Sequence, residues 1–221
     1  EIRPRDWSSD VCSSDLIWYE YILDCAPLLQ QAGLMTVMVT NGYLNPEPWL
    51  DLCQVVDAMN IDLKAFNADF YQKICGGRLD TVKDNIRAAV ESGVHVELTN
   101  LVVTGLNDDP AEFAALVDWV AALSDTLPLH ISRYFPRYHE TAPATAPSTI
   151  ERFVEIARKK LKYVYPGNLP GDQNTHCPQC GATWVSRNNY QVVVTCRSEI
   201  CACGHKLPFM QTSRFQSTMK G

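Results

Sequence analysis

The cysteines of this chain are concentrated near its carboxyl-terminal end. Five of the nine lie in the last quarter of the 221 residues, at positions 177, 180, 196, 201 and 203. Cys177-Pro178-Gln179-Cys180-Gly181 has the two-residue gap and the following glycine of a metal-binding knuckle, in which two thiolates bind one tetrahedral Zn²⁺ at about 2.3 Å. An odd number of cysteines argues against a disulfide framework. We therefore predict a metal site in this segment.

A tetrahedral site needs a second pair of ligands. Cys203-Gly204 resembles the end of a second knuckle, but Ile200 stands where its first cysteine belongs, and Cys201 lies inside the gap. Cys196 and His205 are alternative ligands. We predict a zinc-ribbon-like module in which the ligands are Cys177, Cys180, Cys201 and Cys203. The alternative is a degraded knuckle that holds no metal.

Polar residues also follow a series of short apolar runs. They are Thr40-Asn41-Gly42, Asp62-Leu63-Lys64, Thr99-Asn100, His130 with Ser132 and Arg133, and Gly167-Asn168. In parallel β/α folds the carboxyl ends of the strands meet at one edge, where ligands bind. Taken singly, Asn41-Gly42 is a turn signal, and Asp62 beside Lys64 is an ion pair. The set as a whole favours a binding site.

The apolar runs themselves predict the elements that position these residues. They are rich in β-branched residues at 36–40, 58–64, 94–103, 127–134 and 162–165, and helix-period segments separate them. Most are spaced by about the 30 residues that a strand, helix and parallel strand require. We therefore predict an α/β fold with a parallel sheet.

Two segments carry signals for the start of a helix. Asp109 precedes Pro110, which suits the first helical position, and Glu112 completes a capping box. Ser148-Thr149-Ile150-Glu151 repeats that box and predicts a helix over Phe153–Leu161.

Composition excludes several classes of protein. The chain is 46% hydrophobic and 20% charged, with a net charge of −6, which argues against disorder and against a general nucleic-acid binder. No run of 18 apolar residues predicts a membrane span, and the first residues lack the apolar stretch of a secretory signal. We expect a cytoplasmic protein. Residues 171–221 differ in carrying a net charge of +3, from five basic and two acidic side chains.

The chain is predicted to have three parts. Residues 1–16 repeat Ser-Asp pairs with no hydrophobic period, and they look like the translation of a sequencing adaptor, the alternative being a natural disordered tail. Residues 17–170 form the β/α part, and residues 171–221 form the cysteine-containing module. On this interpretation, the coding sequence before Ile17 is missing.

Seven segments resemble the radical S-adenosylmethionine (SAM) enzyme of the AmmeMemoRadiSam system, which is similar to the activating enzymes of pyruvate formate-lyase. The resemblance covers nearly all of residues 17–210. Its segments are Ile17–Leu34, Val39–Pro48 (VTNGYLNPEP), Asn60–Phe66 (NIDLKAF), Phe70–Gly77 (FYQKICGG), Glu97–Asp108, Pro128–Pro136 and Tyr163–Cys180.

The resemblance implies a fold and a chemistry. The fold is a partial, TIM-like (β/α) barrel, and a [4Fe–4S] cluster in it cleaves SAM reductively to a 5′-deoxyadenosyl radical that abstracts hydrogen from a substrate. The cluster needs three thiolates, but the family's CxxxCxxC motif is not in this sequence. Cys25 and Cys53 lie in helical patterns and are predicted core residues. The resemblance therefore implies an inactive fragment whose catalytic residues are absent.

The resemblance also assigns the remaining residues of a SAM site. Its implied cofactor-binding residues are Thr40, Asn41, Asp62, Lys64, Thr99, Asn100, His130 and Arg133. The pyruvate formate-lyase activases carry an acidic residue where Val39 stands and an arginine at the position of Thr99, so those two contacts do not carry over. His130 is equally interpreted as a strand histidine with a structural contact.

The implied partners are SAM, an unknown protein or small-molecule substrate, and an electron donor such as flavodoxin or ferredoxin. Membranes and nucleic acids are not expected partners. Two alternatives stay open: a non-enzymatic zinc-ribbon interaction protein, and a glycyl-radical activase that acts on a protein.

Overall fold

The computed structural model describes residues 18–137, 142–188, 191–196 and 200–206. The predicted leader at residues 1–16 lies outside this part of the chain. Five strands form one parallel sheet in the order β1-β2-β3-β4-β5, which confirms the predicted α/β fold, and a separate three-stranded sheet follows. The chain divides into two compact units, a first unit up to Leu101 and a second unit from Val102 onward.

The first unit alternates helices and parallel strands. Its elements are α1 (Tyr19–Gln31), β1 (Val37–Thr40), α2 (Pro46–Val55), β2 (Ala58–Asp62), α3 (Ala68–Phe70) with a π-helical turn (Tyr71–Cys75), α4 (Leu79–Glu91) and β3 (His95–Val102). β1 pairs with β2 so that Thr40 lies opposite Ile61, and β2 pairs with β3 so that Asp62 lies opposite Thr99.

Helix packing covers one face of these strands. Trp49 and Leu52 of α2 are fully buried, as are Ile61 of β2 and Leu98 of β3. α4 buries residues spaced three and four apart, the period of one helix face. This apolar layer fixes the strands independently of any ligand.

The second unit contains a β/α part and a small antiparallel sheet. Its elements are α5 (Pro110–Leu123), β4 (Leu129–Arg133), α6 (Pro147–Arg158), β5 (Val164–Gly167), β6 (Thr175–His176), β7 (Thr183–Asn188) and β8 (Gln191–Val194). α5 and α6 pack through the stacked rings of Phe113 and Phe153, whose centroids lie 4.1 Å apart. β4 and β5 are parallel, whereas β6, β7 and β8 are antiparallel.

The helix starts were predicted with mixed success. The Asp109 side chain accepts a hydrogen bond from the N–H of Ala111 and caps α5, as predicted. The second capping box is wrong, because α6 begins at Pro147 after Ala146, which has no side-chain oxygen for capping. Proline at the first position replaces the cap there, since it lacks the N–H that a cap would satisfy. None of the helices in the described chain has both the length and the apolar character needed to cross a membrane.

Candidate functional sites

The loop after β1 is held by its own side chains. The N–H of Gly42 donates to Thr40 Oγ1 at 3.1 Å, and the N–H of Tyr43 donates to Asn41 Oδ1 at 2.9 Å. Gly42 has φ +66°, and a Cβ at this position would lie 2.7 Å from Ile61 Cγ2. Only glycine fits this turn without displacing its neighbour. Thr40 is completely buried, so its hydroxyl serves the turn.

Asn85 of α4 anchors the same loop, and sequence reasoning missed it. Its side-chain Nδ2 donates to the carbonyl oxygens of Gly42 and Leu44, both at 2.9 Å. Its backbone carbonyl oxygen accepts from Trp49 Nε1 at 2.8 Å. Asn85 lies on the buried face of an otherwise apolar helix stripe. A polar residue on such a stripe is the signal that could have found it.

Asp62 and Lys64 meet just beyond β2. Lys64 Nζ lies 2.8 Å from Asp62 Oδ2, and the two side chains are 34% and 14% exposed, respectively. The backbone N–H of Lys64 donates to the hydroxyl of Tyr71 at 3.1 Å. Burial raises the pKa of Tyr71 by more than the Lys64 N–H lowers it, so this hydroxyl stays protonated at neutral pH. The ion pair is thus held in place by a neutral, buried phenol.

Cys75 ends the π-helical turn beside this pair. Burial raises the pKa of its thiol, and the Lys64 ammonium opposes the shift. Gly77 follows closely under the ring of Tyr43, where an added Cβ would lie 3.0 Å from Tyr43 Cε2. The Cys75-Gly76-Gly77 element therefore packs against the loop after β1.

Thr99 and Asn100 are neighbours in β3, and their side chains lie on opposite faces of the sheet. Thr99 Oγ1 donates to Asn60 Oδ1 at 2.7 Å on the half-exposed face. Asn100 is 1% exposed, and its Nδ2 donates to the carbonyl oxygens of Leu63 and Lys64 at 2.8 and 3.1 Å. Among the described residues, Asn100 Oδ1 accepts no hydrogen bond.

One face of β2 and β3 is polar. Residues paired across β2 and β3 lie on the same face of the sheet, and every second residue along a strand returns to that face. Three polar pairs lie on this half-exposed face or at its end, and we call them the polar face: Asn60 with Thr99, Asp62 with Lys64, and His95 with Glu97. Both faces of a parallel sheet are normally apolar and buried. A face that offers a cation, carboxylates and neutral hydrogen-bonding groups can bind a small zwitterionic ligand.

The structure therefore divides the predicted residues of the first unit. Asp62, Lys64 and Thr99 contribute to the polar face, together with Asn60 and Glu97, which were not predicted. Thr40 and Asn100 lie on the buried side and hold loops. Asn41 lies in the loop after β1.

His130 and Arg133 belong to the second unit. His130 stacks on Tyr165 of β5, with ring centroids 5.1 Å apart. Arg133 donates from Nε to the carbonyl oxygen of Thr145, and its guanidinium lies 4.5 Å from the centre of the Phe135 ring. Asn168, with φ 57°, donates to the carbonyl oxygen of Arg133 at 3.0 Å. Stacking gives His130 a structural contact, in line with the alternative interpretation of this residue.

Four cysteine sulfurs come together in the second unit. The Sγ atoms of Cys177, Cys180, Cys201 and Cys203, the cysteine group, all lie within 4.8 Å of one another. The Cys177–Cys203 and Cys180–Cys201 distances are both 3.6 Å. Four thiolates at about 2.3 Å from one tetrahedral ion are separated by about 3.8 Å. A [4Fe–4S] cluster binds each thiolate to a different iron and would hold the sulfurs further apart. The group therefore has the dimensions of a site for a single ion.

The backbone explains why the second pair of cysteines has only one intervening residue. In the first loop, the Gly181 N–H donates to the Cys177 carbonyl and the Cys177 N–H donates to the Ala182 carbonyl. In the second loop, the Gly204 N–H donates to the Cys201 carbonyl and the Cys201 N–H donates to the His205 carbonyl. The second loop is thus a knuckle shortened by one residue. Neither Cys196 nor His205, the alternative ligands, belongs to the group of four.

The four thiols perturb one another. The backbone N–H of Cys203, followed by the indole of Trp184, lowers the pKa of Cys201 to about 6. The pKa of Cys180 is raised to about 12: the backbone N–H of Ala182 opposes this shift, but the neighbouring thiols outweigh it. The Cys201 thiolate thus forms easily, whereas the Cys180 thiol resists ionisation. A divalent cation would remove that conflict by binding all four as thiolates.

An apolar groove of about 720 Å³ lies between α1 and β1. Trp18, Tyr21, Leu29, Val37 and Val39 line it, together with the half-buried Cys25. None of the predicted cofactor-binding residues is in its lining. Cys53 is fully buried in α2, as predicted for a core residue.

Sequence comparisons show which proteins this chain resembles. Residues 14–120 match the family model of the Radical SAM superfamily. An uncharacterized protein of Methanocaldococcus jannaschii is 39% identical over 196 residues, which is 84% of this chain. The chain spans 58% of the length of that relative.

Solved structures support the same fold. A domain of a pyruvate-formate lyase-activating enzyme from Bacteroides vulgatus superposes with a TM-score of 0.60 at 17% identity, covering 69% of this chain and 93% of that one. A radical SAM methyltransferase from Sphaerobacter thermophilus gives a TM-score of 0.51 at 17% identity, over 76% of this chain and 51% of that one. SuiB from Streptococcus suis, solved with SAM bound, gives 0.52 at 11% identity, over 66% and 36% of the two chains.

Proposed function

We propose that the chain is the SAM-binding part of a radical SAM enzyme of the AmmeMemoRadiSam type, because residues 14–120 match the family model of the Radical SAM superfamily. The polar face is the observation that carries the proposal. SAM has an ammonium, a carboxylate, a sulfonium and ribose hydroxyls, and the polar face offers groups of matching kinds. The substrate, a protein or a small molecule, and an electron donor such as flavodoxin or ferredoxin belong to the whole enzyme.

Each residue of the polar face has a distinct role in this proposal. The Lys64 ammonium pairs with the SAM carboxylate, and the Asp62 carboxylate accepts from its ammonium. Thr99 and Asn60 bind hydroxyl groups on the adenosine side. The loops beside the ligand are held by the side chains of Thr40, Asn41 and Asn100. For His130 and Arg133, SAM binding stays a prediction from the family resemblance.

A [4Fe–4S] cluster, when bound, supplies the electron for SAM cleavage in this family. Outside the cysteine group, the described cysteines do not fit it, because Cys25, Cys53 and Cys75 form no group of neighbouring ligands. We therefore derive no radical step for this chain. We propose that the chain alone binds SAM without cleaving it.

The cysteine group supports a second function. We propose that it binds Zn²⁺ as a zinc-ribbon-like centre, because four thiolates at tetrahedral spacing are the donor set that zinc prefers. Such a centre stabilises its fold and can bind a partner, so the non-enzymatic alternative rests on it. Free thiols throughout the described chain fit a reducing, cytoplasmic setting.

Calorimetric titration of the chain with SAM tests the proposal. Lys64→Met should weaken SAM binding by about tenfold or more, since it removes the ammonium that pairs with Asp62 on the polar face. Lys73→Met is the matched control, because Lys73 Nζ also lies 2.8 Å from a carboxylate, that of Asp69, but on an exposed helical surface. Equal SAM affinity of both variants would contradict the proposed site. Formation of 5′-deoxyadenosine by this chain would contradict the proposed lack of cleavage.

A further inference from the structure

Trp184 brings a buried hydrogen-bond donor to the cysteine group. Its side chain in β7 is 1% exposed and packs in one buried cluster with Tyr163, Cys177 and Cys201. Its ring stacks on His205, with centroids 5.9 Å apart and an interplanar angle of 16°. By distance and angle the buried Nε1 meets no hydrogen-bond acceptor among the described residues, although the indole lies near enough to Cys201 to lower the pKa of that thiol. An indole N–H only donates, and the thiol form of the site offers it no more than a weak acceptor.

Ion binding would create that acceptor. A neutral thiol is a weak acceptor, whereas each cysteine bound to a cation is a thiolate with a negatively charged sulfur. Hydrogen bonds to a charged group are shorter and about twice as strong as neutral ones. The buried indole N–H should therefore form a stronger hydrogen bond when the neighbouring cysteines are thiolates than when they are thiols.

We propose that Trp184 is a positioning residue of the metal centre, whose indole N–H donates to the Cys201 thiolate when the ion is bound. This inference rests on the proposed metal centre. The His205 ring fixes the plane of the indole, and the backbone carbonyl of Trp184 accepts from the N–H of Thr195 at 2.8 Å. The backbone hydrogen bond fixes the strand that carries the side chain, and the stacked ring limits rotation of the indole. Mutation of a residue that hydrogen-bonds to a metal ligand typically lowers metal affinity by 10- to 100-fold.

The test replaces one N–H and keeps the ring. In the full chain, Trp184 is replaced by β-(3-benzothienyl)alanine, in which sulfur stands in place of the indole N–H. Co²⁺ is then bound and removed by a competing chelator, and the sulfur-to-cobalt charge-transfer band is recorded. We expect Co²⁺ affinity to fall by about 10- to 100-fold. The band should move to lower energy, because a sulfur without the hydrogen bond gives up charge more easily.

Trp49 provides the matched control. It is fully buried, and its Nε1 donates to the Asn85 carbonyl within the first unit. The same analogue at position 49 should leave Co²⁺ affinity and the charge-transfer band unchanged. Trp184→Phe, which keeps an aromatic ring, should weaken binding at least as much as the analogue.

The outcomes separate the two proposals. If the unmodified chain gives the tetrathiolate spectrum and the analogue at position 184 alters neither affinity nor band, Trp184 has no positioning role and the metal centre stands. If the unmodified chain gives no tetrathiolate spectrum with Co²⁺, the metal centre itself is overturned, and the role of Trp184 with it.

Discussion

The polar face of the first unit and the cysteine group of the second unit are held in place by different means. Strands β2 and β3 carry the polar face on one side and are buried on the other by residues such as Ile61 and Leu98. The core beside the cysteine group consists of Tyr163, Cys177, Trp184 and Cys201, so two of its four buried residues are themselves proposed ligands. Packing thus preorganises the first site, whereas the second, on our proposal, depends on its ion.

Removing one thiolate should have the largest effect and act only on the second site. Cys180→Ser changes an exposed sulfur and removes little packing, but it breaks the set of four ligands. We expect backbone amides of β6, β7 and β8 to exchange with solvent faster by about 100-fold or more, since structural zinc supplies about 10 kcal/mol or more in small domains. Amides of α4 and β3 should keep their protection. Hydrogen exchange followed by mass spectrometry measures both regions at once.

Cys196→Ser is the control for this experiment. Cys196 packs against the same small core but does not belong to the group of four. It should leave the exchange of all three strands close to that of the unchanged chain. Protection of β6 to β8 that survives Cys180→Ser would show that packing alone holds the second site, and the contrast between the two sites would fail.

Asn85→Ala should have the next largest effect, now on the first site. It removes the donors to the carbonyl oxygens of Gly42 and Leu44 and leaves two acceptors without their partner. Each unsatisfied buried group costs about 1–3 kcal/mol, so we expect the free energy of unfolding to fall by about 2–4 kcal/mol. Urea denaturation measures the loss.

Asp84→Ala on the same helix is its control. Asp84 forms an exposed ion pair with Arg87, which should contribute within about 0.5 kcal/mol. If Asn85→Ala costs no more than Asp84→Ala, the loop after β1 does not depend on packing from α4, and the first site is less preorganised than we argue.

These residues also show how far the sequence predicts the structure. The β-branched runs predicted all five strands of the parallel sheet to within a few residues, and Asp109 predicted the start of α5. These signals are local, since they depend on the backbone preferences and capping of neighbouring residues. The capping box at Ser148 failed for the same reason, because Pro147 offered a competing local start.

The sites were less predictable because they depend on contacts distant in sequence. Thr99 and Asn100 were assigned together, but adjacent strand residues face opposite sides, so only Thr99 joins the polar face. Asn85 reaches Gly42 across 43 positions, which no local pattern shows. The sequence predicted that these four cysteines lie together, and that they are ligands stays a prediction; the one-residue gap before Cys203 is explained only by the hydrogen bonds of the shortened knuckle.

Tyr71→Phe should have the smallest effect and tests how the ion pair of the polar face is held. The variant removes the hydroxyl that accepts from the Lys64 N–H, and the expected cost at neutral pH is about 1 kcal/mol of unfolding free energy. Burial raises the pKa of Tyr71 above its ordinary value of 10, so the unfolded chain loses this proton more readily than the folded chain. Stability from this group is therefore fully present below pH 10 and is lost as the pH rises beyond it. Urea denaturation at a series of pH values should show the unchanged chain losing stability above pH 10 more steeply than Tyr71→Phe. Parallel curves would mean that Tyr71 ionises as freely in the folded chain as in the unfolded one, and that the polar face rests on a looser support than the buried phenol described here.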